Sequence, residues 1–209
     1  MLLKADLHVH SNHSDGRSSV REILRVAIER KIDVISITDH DTVDGSLEAL
    51  EIAREENLPI VVLPGIEIST AQGHLLAYGI KRDVDAGIEM NEAVRIVREL
   101  GGITSLAHPF QFYRHGAVRL SCFKIVDCVE VFNAKSLRIF NYLSELLCRR
   151  FGKGRTAGSD AHKAEFVGYG MTLIEIEDPS LEGILNALKS GKSETKGKTA
   201  MFEQILSKL

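Results

Sequence analysis

Short β-rich runs alternate with amphipathic helical stretches along most of this chain, and that alternation leaves few architectures open to it. Leu2 to Leu7 reads as a first strand. Val20 to Lys31 reads as a helix, with apolar residues at Val20, Ile23, Leu24, Ala27 and Ile28, and Val34 to Thr38 as a strand covered on both faces. Ser18 and Ser19 offer the first helix an N-cap, and Asp44 or Ser46 offers one to a second helix ending near Glu56. Further strands are expected across Ile60 to Leu63, Ile103 to Ala107, Cys128 to Phe132, Thr156 to Ser159 and Met171 to Ile176, with a short extra one over Gly73 to Ile80. Helices are expected over Met90 to Leu100, stopped by Gly101 and Gly102, over Ser136 to Phe151 and over Ser180 to Lys189. Pro109 to Val126 reads as a long loop with a short helix. This pattern predicts an α/β fold, a distorted (β/α)7 TIM-like barrel, because 209 residues are near the lower end for eight βα units. The barrel is expected over residues 1–190. Residues 191–209 are expected as a polar, Lys-rich arm with a short helix over Met201 to Leu209.

Charge and cysteine usage narrow the function classes. A net charge of -3 leaves no basic surplus for general double-stranded nucleic-acid binding, which depends on neutralising many phosphates. A small or single-stranded substrate would need only a few local arginines. Cys122, Cys128 and Cys148 form no CxxC pair and read as reduced thiols of a cytoplasmic protein. The N-terminal MLLKADLHVH lacks the apolar stretch of a signal peptide, and the apolar run at Ile60 to Leu63 is too short to span a bilayer, so no membrane role is expected.

Ligand-type side chains stand at the ends of the expected strands. His8 and His10 close the first, Asp39 and His40 the second, and Glu67 the third; His108, then Glu130 with Asn133, then Asp160 with His162, close later ones. In a parallel α/β barrel such ends gather on one face, where active sites are built. Residues i and i+2 of extended chain point to the same side, so His8 and His10 are placed to bind one cation together, and Asp160 with His162 repeats the spacing. Mixed nitrogen and oxygen donors suit Zn²⁺, Mn²⁺ or Fe²⁺ better than Ca²⁺ or an all-sulfur site. Many buried histidines with no such task would be costly to desolvate.

The motifs ADLHVHSNHSDG, SITDHD, GIEIS with GHLLAYG, LAHP, VEVFN and AGSDAH, in that order, resemble the PHP (polymerase and histidinol phosphatase) family of metal-dependent phosphoesterases, over about Met1 to Leu188. The resemblance implies a distorted seven-stranded barrel with two or three divalent cations at its rim. It implies His8, His10, Glu67 and Asp160 as ligands of one metal and Asp15, His40 and His162 as ligands of a second. Glu67 would bridge to a third, completed by His74 and His108. Glu130 and Asn133 fall in a family motif, and Asn133 is expected to orient a ligand or touch substrate. Asp39 is expected to accept a hydrogen bond from a ligating imidazole. His13 is expected at the rim and His115 in an exposed loop.

The implied reaction is hydrolysis of a phosphate ester by attack of a metal-bound hydroxide on phosphorus. A proton for the leaving oxygen is expected from Asp15, His40 or a metal-bound water. Arg17 and Arg114, in loops that should rim the site, are expected to bind substrate phosphate, since guanidinium matches phosphate oxygens bidentately. Lys135 and Arg155 are secondary candidates for the same role, expected first as surface charges. The substrate class is small phosphorylated molecules, nucleotide-derived phosphates or short single-stranded oligonucleotide ends. Histidinol phosphate, an amide or carbonyl substrate on the same metals, and a metal-stabilised binding module remain as alternatives.

Overall fold

A computed structural model of the chain describes residues 1–199. Strands β1 (Leu2–Val9), β2 (Val34–Ile37) and β3 (Val61–Val62) run parallel, joined by helices α1 (Val20–Glu29) and α2 (Asp44–Glu55). A hairpin of β4 (Gly65–Thr70) and β5 (Gly73–Tyr78) leads into α3 (Met90–Glu99) and β6 (Ile103–Leu106). Helix α4 (Leu120–Ile125), β7 (Cys128–Asn133), α5 (Arg138–Phe151), β8 (Gly154–Gly158), β9 (Gly170–Glu175), α6 (Leu181–Lys189) and β10 (Ser193–Gly197) complete the order.

The expected seven-stranded barrel is not what forms. The strands make two mixed five-stranded sheets, ordered β10-β9-β1-β2-β3 and β4-β5-β6-β7-β8, with no closed ring of ladders. Two features of the chain explain the split. Strand β3 is only two residues long and gives way to Pro64, which has no N–H to continue a ladder. On the other side, β9 returns antiparallel and takes the free edge of β1 over Leu2 to Ala5, the edge a ring would give to β8. Among the described residues, the β-bridges outside the strands are His40 to Glu67 and Val9 to Ala161, both at the ends of the parallel strands, and side-chain bonds such as that from the Ala157 N–H to Thr172 Oγ1 at 2.8 Å also join the sheets. Helical periodicity and strand-like composition carry no information on strand direction, so the reversal of β9 is not visible in the sequence pattern, whereas the turn residues Gln72 and Gly73 do mark the hairpin.

Most of the rest follows the residue pattern, but α2 takes no cap from Asp44 or Ser46: it begins at Asp44 with Val43 at the N-cap and no side-chain cap, and the Ser46 hydroxyl oxygen accepts from the Gly65 N–H at 2.9 Å instead. Ser19 caps α1 in a capping box with Glu22, whose carboxylate accepts from the Ser19 N–H at 2.9 Å. Val20, Ile23, Leu24 and Ala27 bury the predicted face of that helix. Ser180 caps α6, and its hydroxyl oxygen accepts from the Gly183 N–H at 3.0 Å. The polar stretch beyond Gly191 supplies edge strand β10, paired antiparallel with β9. The helix expected over Met201 to Leu209 lies outside the described residues.

Between the sheets, Leu3, Ala5, Leu7, Val34, Leu63, Leu76, Tyr78, Ala107 and Ile174 form an apolar plug, with Ile184 and Leu188 of α6 packed into it. A second apolar cluster lies between one sheet and α1 and α2, and a third between the other sheet and α3, α4 and α5. Among the described residues, no helix is long and apolar enough to cross a membrane.

Candidate metal centre

The end of β1 sets the site: the strand shifts register between Asp6 and Val9, so that Leu7 enters the plug between the sheets, Val9 packs with α1 and α2, and His8 and His10 bring their rings together. His8 Nε2 lies 3.1 Å from His10 Nε2, and Glu67 Oε2 lies 3.3 Å from the first and 3.2 Å from the second. All three side chains are almost completely buried. Lone-pair donors packed together away from water need a positive centre between them. Donors about 2.0–2.1 Å from a tetrahedral ion stand roughly 3.3 Å apart, so the donor spacing fits a transition-metal ion.

The remaining strand ends extend this triangle. Glu67 Oε1 is 3.0 Å from His108 Nε2 and 3.1 Å from His74 Nδ1, and His40 Nδ1 stands 3.4 Å from Glu67 Oε2. Asp160 Oδ1 is 3.7 Å from His10 Nε2, while Asp15 Oδ2 is 2.8 Å from His162 Nε2. Four overlapping triads result, each with ligand atoms within 4.8 Å of one another: His8, Glu67 and His108; His8, His10 and Asp160; His10, His40 and Glu67; His10, Asp15 and His162. The buried Nδ1 atoms of His10 and His108, on the far side of each ring from the Nε2 that meets Glu67, have no hydrogen-bond partner among the described residues.

Electrostatics prepares the donors. Burial pushes the Glu67 carboxyl up, but His8, His74, His10 and His108 around it hold it well below the usual range. Burial likewise opposes ionisation of Asp160, and Arg114, Lys135, His8 and His162 overcome it. Asp15 is also held low against burial, chiefly by His162 and His10. Burial drives His10, His108 and His162 below the ordinary imidazole value, which keeps their lone pairs available. His8 goes the other way, because Glu130, Glu67 and Asp160 outweigh its burial. Its Nδ1 sits 2.9 Å from Glu130 Oε1, so the proton assigned to Nδ1 leaves Nε2 facing the triangle.

The backbone is bent to make these contacts. His108 (φ 25°) and Asp160 (φ 51°) both have positive φ, uncommon for residues other than glycine, although Asp and His are among those that adopt it most readily. The His108 N–H donates to Glu130 Oε2 at 2.7 Å, and the Asp160 N–H donates to the His8 carbonyl at 2.8 Å, fixing both turns. At Gly158 a Cβ would collide with the Cβ of His8, so only glycine lets β8 approach β1 this closely. Below the site, buried Asp6 accepts from the backbone N–H groups of Ser159 (3.0 Å) and Gly168 (2.7 Å), and burial pushes its carboxyl up to about 6.

Each residue expected as a metal ligand reaches this cluster: His8, His10, Asp15, His40, Glu67, His74, His108, Asp160 and His162. The other expectations fare differently. Arg114 does face the cluster, with Nη2 2.5 Å from Asp160 Oδ2. Asn133 is buried and donates to Asp160 Oδ2 at 2.9 Å and to Glu130 Oε2 at 3.1 Å, so it holds two carboxylates in place. Arg17 is exposed, and its N–H donates to the His162 carbonyl at 2.7 Å. Asp39, expected against an imidazole, instead accepts from Ser11 N (2.7 Å), Ser11 Oγ (2.6 Å) and Ser14 Oγ (2.6 Å), tying down the loop that carries Asp15. His13 lies at the rim against Glu48 and His115 is exposed, as expected.

Lys135, expected as a surface charge, is 6% exposed, with Nζ 2.9 Å from Asp160 Oδ1 and 3.0 Å from His162 Nδ1. The signal was present in its spacing: it follows Asn133 by two residues, directly after the strand end.

Comparisons with known proteins agree with this geometry. The profile of a family described as PHP-associated matches residues 138–193. An uncharacterized protein of Methanocaldococcus jannaschii is 32% identical over 144 residues, 63% of this chain and 82% of that one. A shorter match, 35% identical over 79 residues, covers 36% of this chain and 27% of the 3',5'-nucleoside bisphosphate phosphatase of Chromobacterium violaceum. In fold, the chain is similar to a two-domain protein of Bacteroides vulgatus containing a predicted PHP-like metal-dependent phosphoesterase, with a TM-score of 0.78 and 20% identity over 100% of this chain and 70% of that one. The chain belongs to the PHP family.

Proposed function

We propose that this protein is a metal-dependent phosphoesterase that hydrolyses small phosphate esters, with nucleotide-derived phosphates as the leading class. The observation that carries the proposal is the buried triangle of His8 Nε2, His10 Nε2 and Glu67 Oε2, all within 3.3 Å of one another. His8, His10, Glu67 and Asp160 would hold one divalent cation, Asp15, His40 and His162 a second, and Glu67 with His74 and His108 a third. The donor chemistry suits Zn²⁺, Mn²⁺ or Fe²⁺. Bound cations of this kind bring the pKa of water toward neutrality and offset the charge of a phosphoryl group.

The chain's own residues supply the rest. Arg114 and Lys135 bring two positive charges to the Asp160 side of the cluster, where guanidinium and ammonium groups can meet phosphate oxygens. Asp15, 48% exposed, and His40, 28% exposed, are the cluster members open to solvent and stand where a proton can pass to a leaving oxygen. Asn133 and Glu130 orient Asp160 and His8 without meeting substrate. Ligands run from His8 to His162, so the hydrolase unit falls within residues 1–190. The three cysteines are free and buried, which suits a reducing cytoplasm. The relative named as a nucleoside bisphosphate phosphatase supports the choice of ester.

Purified protein supplied with Mn²⁺ is expected to release phosphate from members of a panel of phosphomonoesters, bisphosphorylated nucleotides and short RNAs. Absence of release from all of them would reject the proposal.

A further inference from the structure

We propose that Phe112 and Tyr113 form an aromatic platform at the mouth of the site that stacks the base of a nucleoside phosphate. The inference rests on the phosphoesterase reading above and narrows its substrate class. Both residues lie in a single 3-10 turn, Phe112–Arg114, between β6 and α4, and they are 73% and 48% exposed. The residues on either side are anchored to the site. Gln111 is buried and its side-chain amide donates to the Ser136 hydroxyl. Arg114 reaches Asp160, and the His115 ring stacks on the His74 ring with centroids 5.6 Å apart. Phe110 (φ 71°) and His115 (φ 54°) bracket the turn in left-handed backbone, so its path is fixed at both ends.

A connection pinned this tightly has no folding need to present two large rings to water. Tyr113 lies edge-on to Phe112, with centroids 5.5 Å apart, and reaches the Phe140 ring of α5 at 6.3 Å. Leu137 and Ile139, close to Phe140 in the chain, are exposed as well. Clustered exposed apolar groups of this kind mark a binding site rather than ordinary surface. Charge identifies the occupant: Arg114 lies inside the mouth, and exposed Arg119 and Arg138 open the two helices beside it. Aromatic faces combined with arginines are what bases on a phosphate backbone are held by, the rings taking the base and the cations the phosphate.

The test uses the full chain supplied with Mn²⁺ and compares kcat/KM for adenosine 5'-phosphate with that for ribose 5-phosphate, which carries the same ester without a base. Stacking worth about 1–3 kcal/mol corresponds to roughly 5–150-fold, so a preference of about tenfold or more for the nucleotide is expected. The double variant Phe112→Ala/Tyr113→Ala is expected to compress that ratio to within about twofold, while Phe112→Trp retains it. Adenosine titrated into the metal-free protein is expected to shift the ring resonances of Tyr113 in an NMR spectrum. Equal rates on the two esters in the wild type, or an unchanged ratio in the double variant, would overturn the platform. So would a wild-type dimer in sedimentation that the double variant converts to monomer, since the rings would then belong to a protein interface. If neither ester is hydrolysed, the phosphoesterase reading fails, and the adenosine titration decides the platform alone: no shift at Tyr113 overturns it.

Discussion

The two ends of the space between the sheets are built on opposite terms. At one end Leu3, Ala5, Leu7, Tyr78 and Ile174 fill it with apolar volume, and the buried hydroxyl of Tyr78 donates to the Leu7 carbonyl at 3.0 Å. At the other end the same strands deliver His8, His10, Glu67, His108 and Asp160 into equal burial. The apolar end gains from leaving water, at about 25 cal/mol per Å² of apolar surface. The polar end loses by it, because desolvating imidazoles and carboxylates is costly unless every lone pair finds a partner. One end therefore holds the fold together, and the other is affordable only because the first is strong and because cations complete it.

This contrast can be broken in steps. The largest effect is expected at the polar end, where His10→Ala should abolish turnover while the metal-free protein keeps its far-UV circular dichroism and its thermal midpoint, since the contacts of His10 Nε2 with His8 and Glu67 do little more than offset the burial of its ring without a cation. A large loss of thermal stability without metal would show that His10 belongs to the fold. At the apolar end the pattern should reverse. Ile174→Ala is expected to lower unfolding stability by about 2–5 kcal/mol in urea titrations and to leave metal stoichiometry unchanged. Glu130→Gln tests the link between the ends, because Glu130 positions His8 and the His108 backbone. It is expected to weaken metal binding by about 10–100-fold in a competition assay with a chromogenic chelator. The smallest effect lies away from both ends, where Ser19→Ala removes the α1 cap and should cost about 1 kcal/mol in the same urea titration, with activity retained.

The same contrast explains what could be read from the sequence. The His8-x-His10 pair and the repeated placement of acids and histidines after β-rich runs were legible, because alternation along a strand fixes side-chain direction without knowledge of the fold. The buried face of α1 was legible too, from its helical spacing. Strand direction was not. Gln72 and Gly73 mark the turn of the β4–β5 hairpin, but the antiparallel return of β9 depends on where a turn leads, and it helps turn an expected barrel into two sheets. Lys135 looked like a surface charge because its burial depends on Asp160, a partner 25 residues away. Asp39 was assigned to an imidazole because it stands beside His40, yet side chains of adjacent residues diverge, and its carboxylate meets Ser11 and Ser14. The left-handed conformations of His108 and Asp160 leave no mark in composition, since neither residue is glycine.

The central claim is that the buried polar end is a multi-cation site, and metal stoichiometry tests it most directly. Elemental analysis of protein purified without chelator, repeated after reconstitution with Mn²⁺ and gel filtration, should give two or more transition-metal ions per chain. Glu67→Ala, which removes the carboxylate shared by His8, His10, His74 and His108, should bring that number below one. Less than one ion per chain in the wild-type protein, or an unchanged count in the variant, would contradict the account.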